Sequence, residues 1–175
     1  STLSALHQHF QETKNATGLT ISAWIMPAVT DTKAIQPILN LGRLYGDVLY
    51  HQGCAGYDML VAQYHQNVLV SYTDSDPFST CRFVGIPTPL LSPDSFIAVS
   101  FGLGHTNVYV NGQEVAMEGQ PNTFDFSFKN WNWTQSTLQL FSTQASDSIF
   151  EGSIQQVDIW GEFLNESTIM NVFNQ

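Results

Sequence analysis

The chain has 175 residues, enough for one domain with a sizeable core, and 11% of them are charged, against about 25% in an average globular chain. Its polar quota is instead Ser, Thr, Asn and Gln, which suits sheets with hydroxyl-rich faces and long loops rather than amphipathic helices. Five basic and fifteen acidic residues leave a formal charge of −10, which excludes nucleic acid as a partner and disfavours anionic lipid surfaces.

No run approaches about eighteen apolar residues, so no membrane-spanning helix is expected. Ser1-Thr2-Leu3-Ser4 has neither the basic start nor the apolar stretch of a signal peptide. The abrupt start reads as a mature product or one domain of a longer protein.

Residues 1 to 18 are polar, with Leu3, Leu6 and Phe10 spaced for a short, weak helix. From Leu19 to Met26, Leu19, Ile21, Ala23 and Ile25 alternate with Thr20, Ser22 and Trp24, a strand that Pro27 stops. Ile35–Leu41 and Leu44–Tyr50 read as two further strands around Gly42 and Arg43. Asp58–Tyr64 and Val68–Thr73 make a hairpin across His65-Gln66-Asn67. With Tyr64 opposite Val68, paired residue numbers total 132. Residues 74 to 95 hold four of the seven prolines (Pro77, Pro87, Pro89 and Pro93) and read as a long irregular loop.

Phe96–Phe101 is a strand, Gly102 to His105 turns it, and Thr106–Val110 follows. Asn111-Gly112 is a hairpin signal before Gln113–Met117. Residues 118 to 130 are loop-like, and Thr137–Phe141 is another strand. Phe150–Trp160 is a late strand that returns to pair with strands laid down early. In an extended chain Ile154, Gln156, Asp158 and Trp160 point one way, and Gln155, Val157 and Ile159 the other. Asn165 caps a short helix that reaches Phe173. These elements predict an all-β fold over residues 1–175: a two-sheet antiparallel β-sandwich (jelly roll) with a short C-terminal helix.

Cys54 and Cys81 fall near each other at the open end of the 58–73 hairpin, where a disulfide fits; two buried free thiols are the alternative. Asn-X-Ser/Thr triplets occur at Asn15, Asn132 and Asn165, where about two are expected by chance. In a strand, Trp131 and Trp133 would face inward and Asn132 outward, open to a glycan. Thiols, triplets and scarce lysine predict an extracellular or cell-surface location.

Four segments together resemble a family. Leu19-Thr-Ile-Ser-Ala-Trp-Ile25 is similar to the early strand of laminin G-like and pentraxin domains. Phe96-Ile-Ala-Val-Ser100 followed by Val108-Tyr-Val-Asn-Gly-Gln-Glu-Val115 resembles their middle strand and hairpin. Leu138-Gln-Leu-Phe141, then Phe150-Glu-Gly-Ser-Ile-Gln-Gln-Val-Asp-Ile-Trp160, resembles their final strands. The order and spacing match across about 160 residues, as in the concanavalin A-like jelly roll. The resemblance implies an extracellular module that binds glycans, proteins or lipids, often through Ca2+. Gly56-Tyr57 stands where pentraxins place Asp-Asn, and Ser142-Thr-Gln-Ala-Ser-Asp147 replaces their acidic loop. The pentraxin double-calcium site is therefore expected to be absent, since a hard cation needs about six to eight oxygens. Asp58, Asp74, Asp76 and Asp147 are either ligands of a simpler calcium site or solvated loop acids.

Catalytic signals are sparse. Retaining glycoside hydrolysis needs two carboxylates about 5 to 5.5 Å apart. Asp158-Ile-Trp-Gly-Glu162 separates its acids by about 13 Å along a strand. His7 and His9 would share a face if extended, but no acid or thiol partner is in view, so a polar terminus is the simpler reading. Trp131 and Trp133, with Tyr57, Tyr64 and Tyr72, either offer flat faces for sugar stacking or fill the sandwich. The loop tips holding Tyr72, Phe78 and His105 are the other places for a ligand.

The chain is therefore expected to be a non-enzymatic recognition or adhesion module for a glycan or protein. The alternative is a structural domain that packs on neighbouring copies, as a homo-oligomer, or on other domains of its parent protein. A glucanase-type hydrolase is disfavoured.

Overall fold

The computed structural model describes residues 2–13, 18–28, 32–43, 59–65, 67–72, 82–89, 94–102, 105–115, 136–140 and 150–175. Two five-stranded antiparallel sheets face each other. The first contains β1 (Gly18–Pro27), β6 (Ser95–Gly102), β7 (His105–Val110), β8 (Gln113–Val115) and β10 (Gly152–Trp160), in the order β10-β1-β6-β7-β8. The second contains β2 (Thr32–Arg43), β3 (Met59–His65), β4 (Asn67–Tyr72), β5 (Arg82–Pro89) and β9 (Ser136–Leu140), in the order β5-β4-β3-β2-β9. Helices α1 (Thr2–Glu12) and α2 (Glu166–Phe173) flank them. The late strand does return: β10 pairs with β1, with Thr20 opposite Trp160.

Alternation builds the interior. Leu19, Ile21, Ala23 and Ile25 of β1, Ile97, Val99 and Phe101 of β6, and Val108 of β7 meet Ile38, Leu39 and Val61 of the second sheet. Each such side chain, fully buried, is worth about 1.5–3 kcal/mol. The space among Ile21, Ile25, Ile38, Leu39, Val61, Ile97 and Val99 amounts to about 10 Å³, room for one water at most. Among the described residues this part of the interior is filled by packing.

Leu6 and Phe10, four apart on α1, enter the same core at 6% and 1% exposure. This element is helical rather than extended. His7 and His9 therefore sit about 200° apart around its axis and do not form the shared face that an extended chain would give. His9 Nε2 instead meets the carbonyl of Gly161 at 2.7 Å. A Cβ at Gly161 would come within 2.5 Å of the His9 ring.

Four sequence expectations shift. Strand pairing Ile25↔Ile154 follows Trp24↔Gln156, so β10 carries one extra residue there. This bulge breaks the simple alternation and turns Ile154 toward the core with Val157 and Ile159, not with Trp160. The β3–β4 hairpin pairs Tyr64 with Asn67, so paired numbers total 131. His65, at φ 53, takes up the tighter connection. The proline-rich stretch contains a strand, β5, paired to β4. Pro87 and Pro89 are tolerated because β5 is an edge and its register slips beside them. The Ile35–Leu41 strand extends to Thr32–Arg43, and the expected Leu44–Tyr50 strand lies outside the described residues.

Candidate recognition surface

The two outer faces of the sandwich differ. On the first sheet, Thr20 and Ser100 point away from the core and are fully buried. The Thr20 hydroxyl donates to the Glu162 carbonyl at 2.8 Å and accepts the Leu164 N–H at 3.0 Å. The Ser100 hydroxyl donates to the Leu164 carbonyl at 2.9 Å. Each hydroxyl has one hydrogen, and both spend it on the segment after β10, which lays that segment across the sheet. Asn165 then caps α2. Leu164 and Ile169 close over Phe96, Ala98 and Tyr109, with Trp24, Trp160, Val172 and Phe173 around them. The Trp24 and Phe173 rings stack at 5.6 Å and 24°.

This cover shapes the electrostatics. Tyr109 is 1% exposed, and burial pushes its hydroxyl above the usual tyrosine range. An Asn107 hydrogen bond partly offsets that, while the Glu114 and Glu166 charges add to it. Asn107 Nδ2 donates to the Tyr109 oxygen at 3.4 Å. Glu166 Oε1 accepts the Glu114 N–H at 3.2 Å, tying α2 to β8.

On the second sheet, Val61 enters the core, so Ala62 and Tyr64 belong to the opposite face. Pro37, paired with Ala62, is buried. Tyr64 is 39% exposed, and its ring lies 4.3 Å from that of His65. Lys33, next to the Thr32 that pairs with His65, is exposed. Charge separates between the sheets as well. The strands of the second sheet contain Lys33, Arg43 and Arg82 and no acid. Those of the first contain Glu114 and Asp158 and no base.

Few of the predicted site residues fall together. Tyr72 ends β4, opposite Met59 and Arg82, at the far end of the hairpin from Tyr64. His105 starts β7 in the other sheet. Asn165 is exposed at the start of α2. Asp58, Asp74, Asp76, Asp147, Cys54, Cys81, Asn15, Asn132, Phe78, Trp131 and Trp133 lie outside the described residues. Among the described residues, no three His, Cys, Asp or Glu side chains gather to hold a metal. The Asp158 carboxylate accepts the Gln156 amide; the Glu162 side chain is exposed, and its backbone carbonyl accepts Thr20. Sequence reasoning placed Tyr64 among several aromatics but gave it no priority; its position at a hairpin tip, next to His65, was the available signal.

A family model described as "Concanavalin A-like lectin/glucanases superfamily" (Laminin_G_3) matches residues 4–170. The fold is similar to the CBM40 of a Ruminococcus gnavus IT-sialidase, with a TM-score of 0.64 and 15% identity, covering 90% of this chain and 83% of that one. It is similar to a heptameric SAP-like pentraxin from Limulus polyphemus, with a TM-score of 0.55, 12% identity, and 90% and 70% coverage. A Trypanosoma rangeli sialidase matches at a TM-score of 0.58 and 15% identity, but the chain spans only 22% of its length. At these identities the likeness is one of fold. No curated protein sequence matches the chain.

Proposed function

The chain belongs to the concanavalin A-like lectin/glucanases superfamily, and we propose that it is a non-catalytic recognition module that binds a glycan or protein around Tyr64, at the β3–β4 hairpin of its second sheet. The observation that carries this reading is Tyr64, the large hydrophobic side chain left exposed among the described residues. An aromatic ring braced by His65 offers a flat apolar face to a sugar ring or a partner's side chain. Lys33 nearby suits an acidic group on the ligand, which the rest of a −10 chain would repel. A saccharide is supported as ligand class by a structure of the CBM40 neighbour bound to α2,3 sialyllactose.

Glycan-array binding of the chain, with and without EDTA, tests this. Tyr64→Ala is expected to lower affinity about tenfold; unchanged binding would move the site elsewhere. Loss with EDTA would support a calcium site, for which Asp58, Asp74, Asp76 and Asp147 are the proposed ligands, and EDTA-resistant binding would remove calcium from the reading. The same reading puts the chain outside the cell with Cys54 joined to Cys81. Met59 and Arg82, which begin the strands after these cysteines, share one row of the sheet with Tyr72. Non-reducing peptide mapping that returns two free thiols would remove the bridge.

A second reading is assembly. β10 is an edge of the first sheet, and its nine residues carry one charge, Asp158. The pentraxin neighbour is heptameric. Light scattering at high concentration tests this, and a strict monomer removes it.

A further inference from the structure

Asn165 opens the triplet Asn165-Glu166-Ser167, and the structure shows what each atom of its side chain does. Oδ1 accepts the Thr168 N–H at 3.0 Å, the Thr168 hydroxyl at 3.0 Å and the Ser167 hydroxyl at 2.9 Å. The residue is exposed, and its amide nitrogen donates to no described residue. The oxygen is thus committed to the helix, and the nitrogen of this exposed residue is unbonded among the described residues. This division matters because N-glycosylation changes the nitrogen alone. The amide nitrogen bonds to the anomeric carbon of a sugar, the bond from that carbon to a diphosphate breaks, and the diphosphate leaves with the electron pair. The amide gives up one proton, and its carbonyl is unchanged. The co-reactants are a lipid-linked diphosphate oligosaccharide and its transferase.

We propose that Asn165 carries an N-linked oligosaccharide while its carbonyl continues to cap α2. The glycan then leaves the molecule at the start of the segment that covers the first sheet, beside Glu114 and Glu166. That is the side of the sandwich away from Tyr64, so the oligosaccharide leaves the recognition face open. The proposal rests on the extracellular reading and not on ligand binding, so a chain that binds nothing can still be glycosylated here.

The test uses the full chain made behind a secretion signal in a eukaryotic host, with Asn165→Asp and Ser167→Ala as variants. Peptide mapping after enzymatic deglycosylation in heavy-oxygen water is expected to label position 165 in the parent. Both variants are expected to lose that glycan. Asn165→Asp retains a capping oxygen and is expected to keep the parent's thermal midpoint; Ser167→Ala, which keeps Asn165 itself, covers the case in which the aspartate fails to fold. An unmodified Asn165 in the secreted parent overturns the proposal. Tryptophan emission, to which Trp24 stacked on Phe173 is one of four contributors, is expected to match between glycosylated and deglycosylated chains. A red shift confined to the glycosylated form would show that sugar and cap are incompatible, and would also overturn it.

Discussion

Asn111 and Phe96 exchange two hydrogen bonds across the β6–β7 edge. The Phe96 N–H donates to Asn111 Oδ1 at 2.9 Å, and the Asn111 N–H donates to the Phe96 carbonyl at 2.8 Å. Asn111 can do this because it sits in the left-handed region at φ 52, followed by Gly112 at φ 81, the pair of positive angles that a tight hairpin turn needs. The same turn receives α2: a Cβ on Gly112 would lie 2.9 Å from Met170 Sδ and 3.1 Å from Phe173. One dipeptide thus reverses the chain and seats the helix.

Asn111→Ala removes the side-chain acceptor and the residue's tolerance of positive φ. A loss of about 1–3 kcal/mol in urea unfolding is expected. An unchanged midpoint would mean that the turn reforms without the Phe96 contact.

Ser22 provides a test of opposite sign. Its hydroxyl is 1% exposed and makes no hydrogen bond. A buried polar group in that state costs about 1–3 kcal/mol. Ser22→Ala is therefore expected to raise the thermal midpoint, and a clear drop would show that the hydroxyl has a partner in solution.

Tyr109 sets the alkaline limit of the helix cover. Its proton is held more tightly folded than unfolded, chiefly because of burial. Below the unfolded value, about 10, this contribution to stability is fully present. It is lost as pH rises from there through the higher folded value. Tyr109→Phe removes the titration, so its stability is expected to fall less than the parent's above about pH 10. Parallel alkaline curves would refute the assignment.

The closing strand is tested by Trp160→Ala. Trp160 packs against the cluster beneath α2, next to the Thr20 row that anchors residues 161 to 164. A loss of about 3 kcal/mol or more is expected, measured by chemical denaturation. A negligible change would place the stability of this edge in other contacts.

Much of the fold was legible because strand alternation is local. Leu19, Ile21, Ala23 and Ile25 mark their face within seven residues, and Asn111-Gly112 marks its turn within two. Asn165 likewise declares a cap that the structure supplies. The bulge after Ile154 was not legible, since nothing in Ile154-Gln155-Gln156-Val157 says which residue will go unpaired. The β5 strand was hidden by its prolines, which only the edge position excuses. The reach of β2 back to Thr32 and the helical state of the His7–His9 segment depended on what each packs against.

By itself, the order of apolar and polar residues determined that this chain forms two layers of antiparallel strands and ends in a capped helix, because those signals act between near neighbours. Only the tertiary structure decided what covers the outer face of the first sheet. Thr20 meets Glu162 and Leu164 at separations of 142 and 144 residues. A single buried hydroxyl reaching that far along the chain closes the outer face of the first sheet, a contact that no local pattern of residues specifies.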